Sequence, residues 1–183
     1  MEYKKYIEII NKNEVNSVFE QGKIDRVFMS TLSRAGYVAP MLQGRYVLMR
    51  KIGDVTMKEL QQSKLPESKL FELRKETFRV VGKKTHISPF YAIAAFLDDI
   101  GSKQFSADDI INSYKTSFPT VQEYLHLLYK AKVLRRIKNN LYVAIKRLEG
   151  LYGVSDIIAA AKPKEKKVSI NELAKKAKLA GLI

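Results

Sequence analysis

The sequence predicts a mainly α chain with small β-hairpins, an α+β fold, built from two copies of one unit joined by a helical linker. Three observations carry this. Apolar residues recur at i, i+3, i+4 and i+7 along most of the chain, the spacing of helices with one buried face. Two stretches, 37–51 and 133–147, break that rhythm with paired apolar runs around a polar bend, the signal of a hairpin. The second stretch, with the helix before it, repeats the first at a constant offset.

In order along the chain, Tyr3, Tyr6, Ile7 and Ile10 share one stripe and predict a helix. "NEVNSVF" is open between strand and turn. Asp25 is placed to cap a helix from Arg26 to about Ala35, and Gly36 ends it because glycine tolerates positive φ. "YVAPML" and "RYVLMRK" read as strands joined through "QG". From 53 to 88, "TMKELQQSK" and "PESKLFELRKETFRVV" read as a connecting helix pair, with Pro66 at a helix start. "FYAIAAFLDDIG" is apolar nearly throughout and predicts a buried helix. Phe105 suits a short strand. Ser106–Asp109 resembles a capping box, and Thr120–Glu123 reads as a cleaner one, each opening a helix. "VLRRIKNNLYVAIKR" is strand, bend at "NN", strand. "GVSDIIAAAK" is a short helix and "KPKEKK" a charged linker. Ser169–Glu172 is a capping box before a helix to about Ala180.

The repeat is ungapped. Phe28 corresponds to Tyr124, 96 residues on (124 − 28), and the same offset holds to Lys51 and Arg147. Leu32 faces Leu128, Arg34 faces Lys130, and Ala35 faces Ala131. Tyr37-Val38 faces Val133-Leu134, Met41 faces Ile137, and Gln43-Gly44 faces Asn139-Asn140. Tyr46-Val47 faces Tyr142-Val143, and Arg50-Lys51 faces Lys146-Arg147. Identity is modest, but helix anchors, bend, aromatic and basic ends keep their places, so a repeated module explains the match better than two unrelated hairpins.

Composition bounds the function. The 183 residues suffice for one medium domain or two small ones, and 46% hydrophobic with 28% charged residues is a globular balance. Cysteine is absent, which excludes disulfides, thiolate metal sites and a cysteine nucleophile. No apolar run approaches the ~18 residues of a membrane span, and "MEYKKYIEIINK" lacks a signal-peptide core, so a cytoplasmic location is expected. The balance of 33 Lys+Arg against 19 Asp+Glu, net +14, favours a polyanionic partner.

The order of helices followed by a hairpin resembles the winged helix, a fold of three helices and a small sheet whose third helix runs into the wing. The second copy supplies helices over 89–100, 106–115 and 120–131. The first supplies 3–11, a compressed second helix near 16–22, and 26–35. The resemblance divides the chain into winged-helix domains at 1–52 and 89–148, a helical connector at 53–88 and a basic helical tail at 149–183. "RAGYV" after Leu32, and "GRY" at Gly44–Tyr46, further resemble the N-terminal domain of AbiEi-type antitoxins and related archaeal and bacterial regulators. That resemblance implies DNA binding, often autoregulatory, with a toxin-neutralising partner domain. The rest of this chain departs from it by looking like a second winged helix.

In such a fold the third helix and wing meet duplex DNA. The first helix is expected to bury Val27, Phe28 and Leu32, leaving Arg26, Ser30, Ser33 and Arg34 outward. The second is expected to bury Val121, Leu125 and Leu128, leaving Gln122, His126, Tyr129 and Lys130 outward. The second wing carries the sharper signal. Lys130, Lys132, Arg135, Arg136, Lys138, Lys146 and Arg147 fall in a span without a single acid. The first wing offers Arg45, Arg50 and Lys51. Gln43 and Asn139-Asn140 at the tips are hydrogen-bonding candidates, though turn residues chosen for positive φ explain them better.

The expected partner is therefore double-stranded DNA, read from one chain or from a homodimer, in a prokaryotic or mobile-element transcriptional regulator. Three alternatives stand beside it: a protein-interaction module of replication, transcription or division machinery, an AbiEi-like antitoxin with a toxin partner, and RNA binding. No enzyme, cofactor or metal is expected. His86 and His126 lack ligand spacing, "GSK" at Gly101 lacks a phosphate-loop context, and Asp98-Asp99 and Asp108-Asp109 suit helix ends and caps. The lysines of the tail helix flank too small an apolar face for membrane binding.

Overall fold

The computed structural model describes residues 2–83, 88–116 and 118–162. His86 and the helix expected from Ser169 lie outside them. The fold is α+β, with eight helices and two small antiparallel sheets among the described residues. The first half runs α1 (Glu2–Asn11), β1 (Val18–Glu20), α2 (Arg26–Arg34), β2 (Val38–Pro40), β3 (Arg45–Leu48), α3 (Met57–Gln62) and α4 (Glu67–Val81). The second runs α5 (Pro89–Ile100), β4 (Gln104–Phe105), α6 (Ala107–Ser113), α7 (Phe118–Lys130), β5 (Leu134–Lys138), β6 (Leu141–Ala144) and α8 (Val154–Ala161). Each half holds one three-stranded sheet, ordered β1-β3-β2 and β4-β6-β5.

The sequence repeat is a structural one. Val38 pairs with Leu48, Ala39 with Val47 and Pro40 with Tyr46. At the same offset Leu134 pairs with Ala144, Arg135 with Val143 and Arg136 with Tyr142. Phe19 opposite Tyr46 is matched by Phe105 opposite Tyr142. The helix exits agree as well: the Tyr37 N–H donates to the Leu32 carbonyl at 2.9 Å, and Val133 to Leu128 at 3.0 Å. Gly36 (φ 76°) and Lys132 (φ 58°) hold the same left-handed position, as do Gly44 (φ 67°) and Asn140 (φ 58°) at the bends. The likeness extends past the hairpins. α3 packs on α2 as α8 packs on α7, with Leu60 and Ile157 as the buried anchors. At the start of each, an acid turns back on the backbone: Glu59 accepts from the Thr56 N–H at 2.6 Å, Asp156 from the Gly153 N–H at 2.9 Å.

Several expectations need correction. The compressed helix near 16–22 is β1, because Val18 and Phe19 take ladder positions against β3 and the chain reaches Asp25 too soon for a helix. Only the second half has room for a middle helix, α6, opened by the Ser106–Asp109 capping box. Thr120–Glu123 is not a capping box, since α7 begins at Phe118 and Thr120 lies in its first turn. Pro119 fits there, where its missing N–H has no helical partner to lose. Asp25 caps α2 as expected, accepting from the Phe28 N–H at 2.8 Å.

Two hydrophobic cores result. The smaller holds Ile10, Phe28, Met29, Leu32, Val38, Leu48 and Leu60. The larger is centred on α4, α5 and α7, with Phe71, Phe78, Ile93, Leu125 and Leu128. Strand alternation divides the first sheet between them. Val38 and Leu48 face the smaller core, while Ala39, Val47 and Met49 belong to the larger. The helices α3 and α4 of the expected connector are thus integral packing. Leu60 sits in the smaller core, and Leu70 and Leu73 pack against the larger.

Candidate nucleic-acid interface

The β5–β6 hairpin and the open side of α7 gather most of the sequence-predicted residues. α7 turns Val121, Leu125 and Leu128 inward, each at most 2% exposed. α8 lies against another flank, where Tyr124 and Leu127 are half-buried. Gln122 is left half-buried at the hairpin side, and His126, Tyr129 and Lys130 are exposed. Glu123 is exposed on the same helix, at i−3 from His126 and i−7 from Lys130, so one acid stands at the edge of this open side.

The hairpin is tied to that helix. The Gln122 amide donates to the Asn140 side chain at 3.3 Å, and Arg136 donates to the Asn139 side chain at 2.8 Å. The tip asparagines therefore serve the turn and its attachment. Lys132, Arg135, Arg136, Lys138, Lys146 and Arg147 are all exposed, and none has a carboxylate partner among the described residues. A β-bulge lies between Arg136 and Lys138. Ile137 (43%) and Ile145 (50%) stand exposed beside these cations. Sequence reasoning did not single them out. The one available signal was an apolar residue isolated inside a polar run, and the bulge defeats simple alternation there.

The first copy places its predicted residues differently. Val27 is 68% exposed instead of buried, and Ser33 is 8% exposed instead of outward. The helix is rotated so that Met29 and Ser33, i and i+4, join Phe28 and Leu32 inside. Ser33 accepts a hydrogen bond from the Arg74 guanidinium of α4 at 2.8 Å. Arg26, Ser30 and Arg34 remain exposed, as does Gln43 (φ 61°) in the left-handed bend. Arg45 is half-buried. Arg50 donates to the Ala35 and Gly36 carbonyls at 2.7 and 3.1 Å and stacks 4.1 Å above the Tyr37 ring. Lys51 donates to the carbonyls of Asn11 and Asn13 at 2.5 and 2.6 Å. These last two bases hold the fold together.

A cluster of five acids lies elsewhere. A groove of about 890 Å³ between α4, α5 and the exit of β6 is lined by Glu72, Glu76, Asp98, Asp99 and Glu149. Lys75, buried, pairs with Glu72 at 2.6 Å and Asp98 at 2.5 Å. Arg79 pairs with Glu76 and Asp99, both at 3.1 Å. Burial opposes the charge on Lys75, but the hydrogen bonds it donates to Asp98 and Glu72, with the charges of those carboxylates, outweigh it and hold its pKa above the ordinary lysine value. Asp98 and Asp99 thus clamp α5 to α4. Asp109 is a cap, accepting from the Ser106 N–H at 2.6 Å. No group of His, Asp or Glu able to hold a metal occurs among the described residues, and no described helix is long and apolar enough to cross a membrane.

Comparison of the chain with protein-family models, with curated proteins and with solved structures finds no match. The interface stands on its geometry: a helix side and a hairpin, joined by a hydrogen bond, presenting uncompensated cations.

Proposed function

We propose that the protein is a sequence-specific double-stranded DNA-binding protein built from tandem winged helices, acting as a transcriptional regulator of a prokaryote or mobile element. The observation that carries this reading is the set of exposed cations on β5–β6 beside the open side of α7, while four acids, Glu72, Glu76, Asp98 and Asp99, are paired with Lys75 and Arg79 in the α4–α5 groove. A helix fits the major groove, where base edges are distinguishable, and a basic hairpin beside it neutralises phosphate. Gln122, His126 and Tyr129 are placed for base or sugar contacts, and Lys130, Lys132, Arg135, Arg136 and Lys138 for phosphates.

The test is a mobility shift with duplex DNA over a salt series, followed by selection of bound sequences from a random pool. Binding that weakens steeply with salt and enriches a motif is the expected result. Absence of binding at low salt sinks the reading. The exposed Ile137 and Ile145 favour one second reading, a protein-docking hairpin. In that case Ile137→Ser with Ile145→Ser abolishes capture of a protein partner and leaves DNA binding untouched.

A further inference from the structure

Resting on the DNA-binding reading, we infer that nucleic acid is contacted by the second copy alone, and that the first copy's hairpin has become an internal joint. The two copies share register and topology, so equivalent positions can be compared one by one. Ala39, Val47 and Met49 in the first sheet are 0%, 0% and 9% exposed and sit in the α4–α5 core. Of their equivalents Arg135 and Ile145 are exposed, Ile145 at 50%, while Val143 is itself buried at 9%. Met41, half-buried against the same core, corresponds to exposed Ile137.

The first hairpin is therefore covered on both faces, by its own core on one side and the α4–α5 core on the other. The bend at Gln43 and Gly44 stays exposed, but the covered face that carries Ala39, Val47 and Met49 cannot approach a polyanion without unpacking. Its helix is partly closed too. Arg74 covers Ser33, whose equivalent, Tyr129, is 45% exposed. Leu65 and Leu73 lie against Gly36, the residue at which α2 passes into the hairpin. The basic ends tell the same story. Arg50 and Lys51 are spent on backbone carbonyls, while Lys146 and Arg147 have no side-chain partner among the described residues.

One chain then presents one reading head, with the first copy and α4 as its support. A two-fold operator would be filled by two chains, each occupying one half-site.

The test compares two sets of substitutions in the full chain, both at exposed positions, with thermal melts to confirm folding. Arg26→Ala, Ser30→Ala and Arg34→Ala together are expected to leave affinity for duplex DNA within about twofold and the salt slope unchanged. Arg135→Ala, Arg136→Ala and Lys138→Ala together should weaken binding at least ~tenfold and flatten the slope by about two to three. A comparable loss in the first set overturns the inference while the DNA reading survives. So does unchanged binding in both sets. If the wild-type chain binds no DNA at low salt, both fall together. A footprint from one bound chain spanning two helical turns also counts against a single head.

Discussion

Gly36 stands where α2 leaves for its hairpin, at φ 76°, and a Cβ added there would lie 2.6 Å from the Leu65 side chain. Both facts favour glycine. Gly36→Ala should cost at least about 1–2 kcal/mol from the left-handed backbone, with overlap adding to it, read as a lower midpoint in urea. Lys132 takes the equivalent position at φ 58° with its side chain exposed. Lys132→Gly relieves backbone strain, offset in part by a freer unfolded chain. A net gain of about 0.5 kcal/mol is expected, together with a salt slope of DNA binding shallower by about one. Lys75 gives a pH-dependent prediction. Its pKa is raised in the folded state, so its contribution is complete below the ordinary lysine value and is lost as pH climbs through the folded value. Lys75→Met should destabilise by about 2 kcal/mol near neutral pH, less than a fully buried pair because Glu72 and Asp98 are half-exposed. Denaturant titrations should show the gap to wild type closing above about pH 10.4.

At the scale of elements, equivalent segments carry different loads. Arg50 closes the C-terminal end of α2 through two carbonyls and a ring. Its counterpart Lys146 closes nothing. Arg50→Ala should lower stability by about 1–2 kcal/mol and leave DNA affinity intact. Lys146→Ala should do the reverse, with a stability change near zero and weaker binding. Paired melting and mobility-shift measurements check both, and equal stability losses would refute the contrast. Much of this element structure was legible in the sequence. The hairpins were marked by apolar runs around "QG" and "NN", the Asp25 cap and Ser106–Asp109 box by their side chains, and the repeat by its ungapped match. Other features were not legible. β1 was hidden because three residues cannot show a period, and the start of α7 because Pro119 is tolerated inside a first turn. Val27 and Ser33 were exchanged because a polar side chain can be buried when a distant arginine meets it, and α4 lies some forty residues away in sequence.

At the scale of the whole molecule, the net charge of +14 predicts polyanion affinity but not where it resides. The fold answers by pairing four acids, Glu72, Glu76, Asp98 and Asp99, with Lys75 and Arg79 in the α4–α5 groove and leaving the β5–β6 cations without a carboxylate partner among the described residues. DNA affinity of the full chain should therefore fall on a log–log salt plot with a slope of about −0.9 per phosphate contacted, set by the second copy. The sequence alone determined the α+β class, the two-copy plan, the excess of positive charge, and the absence of cysteine chemistry. Those follow from local periodicity, turn residues and composition, which act over a few residues at a time. Only the tertiary structure decided that the two hairpins are packed differently. That asymmetry depends on which sheet face α4 and α5 cover, a contact between segments far apart in the chain. The matched hairpins carry almost the same pattern, yet the strands of one pack against both cores and those of the other against one, leaving Ile137 and Ile145 exposed.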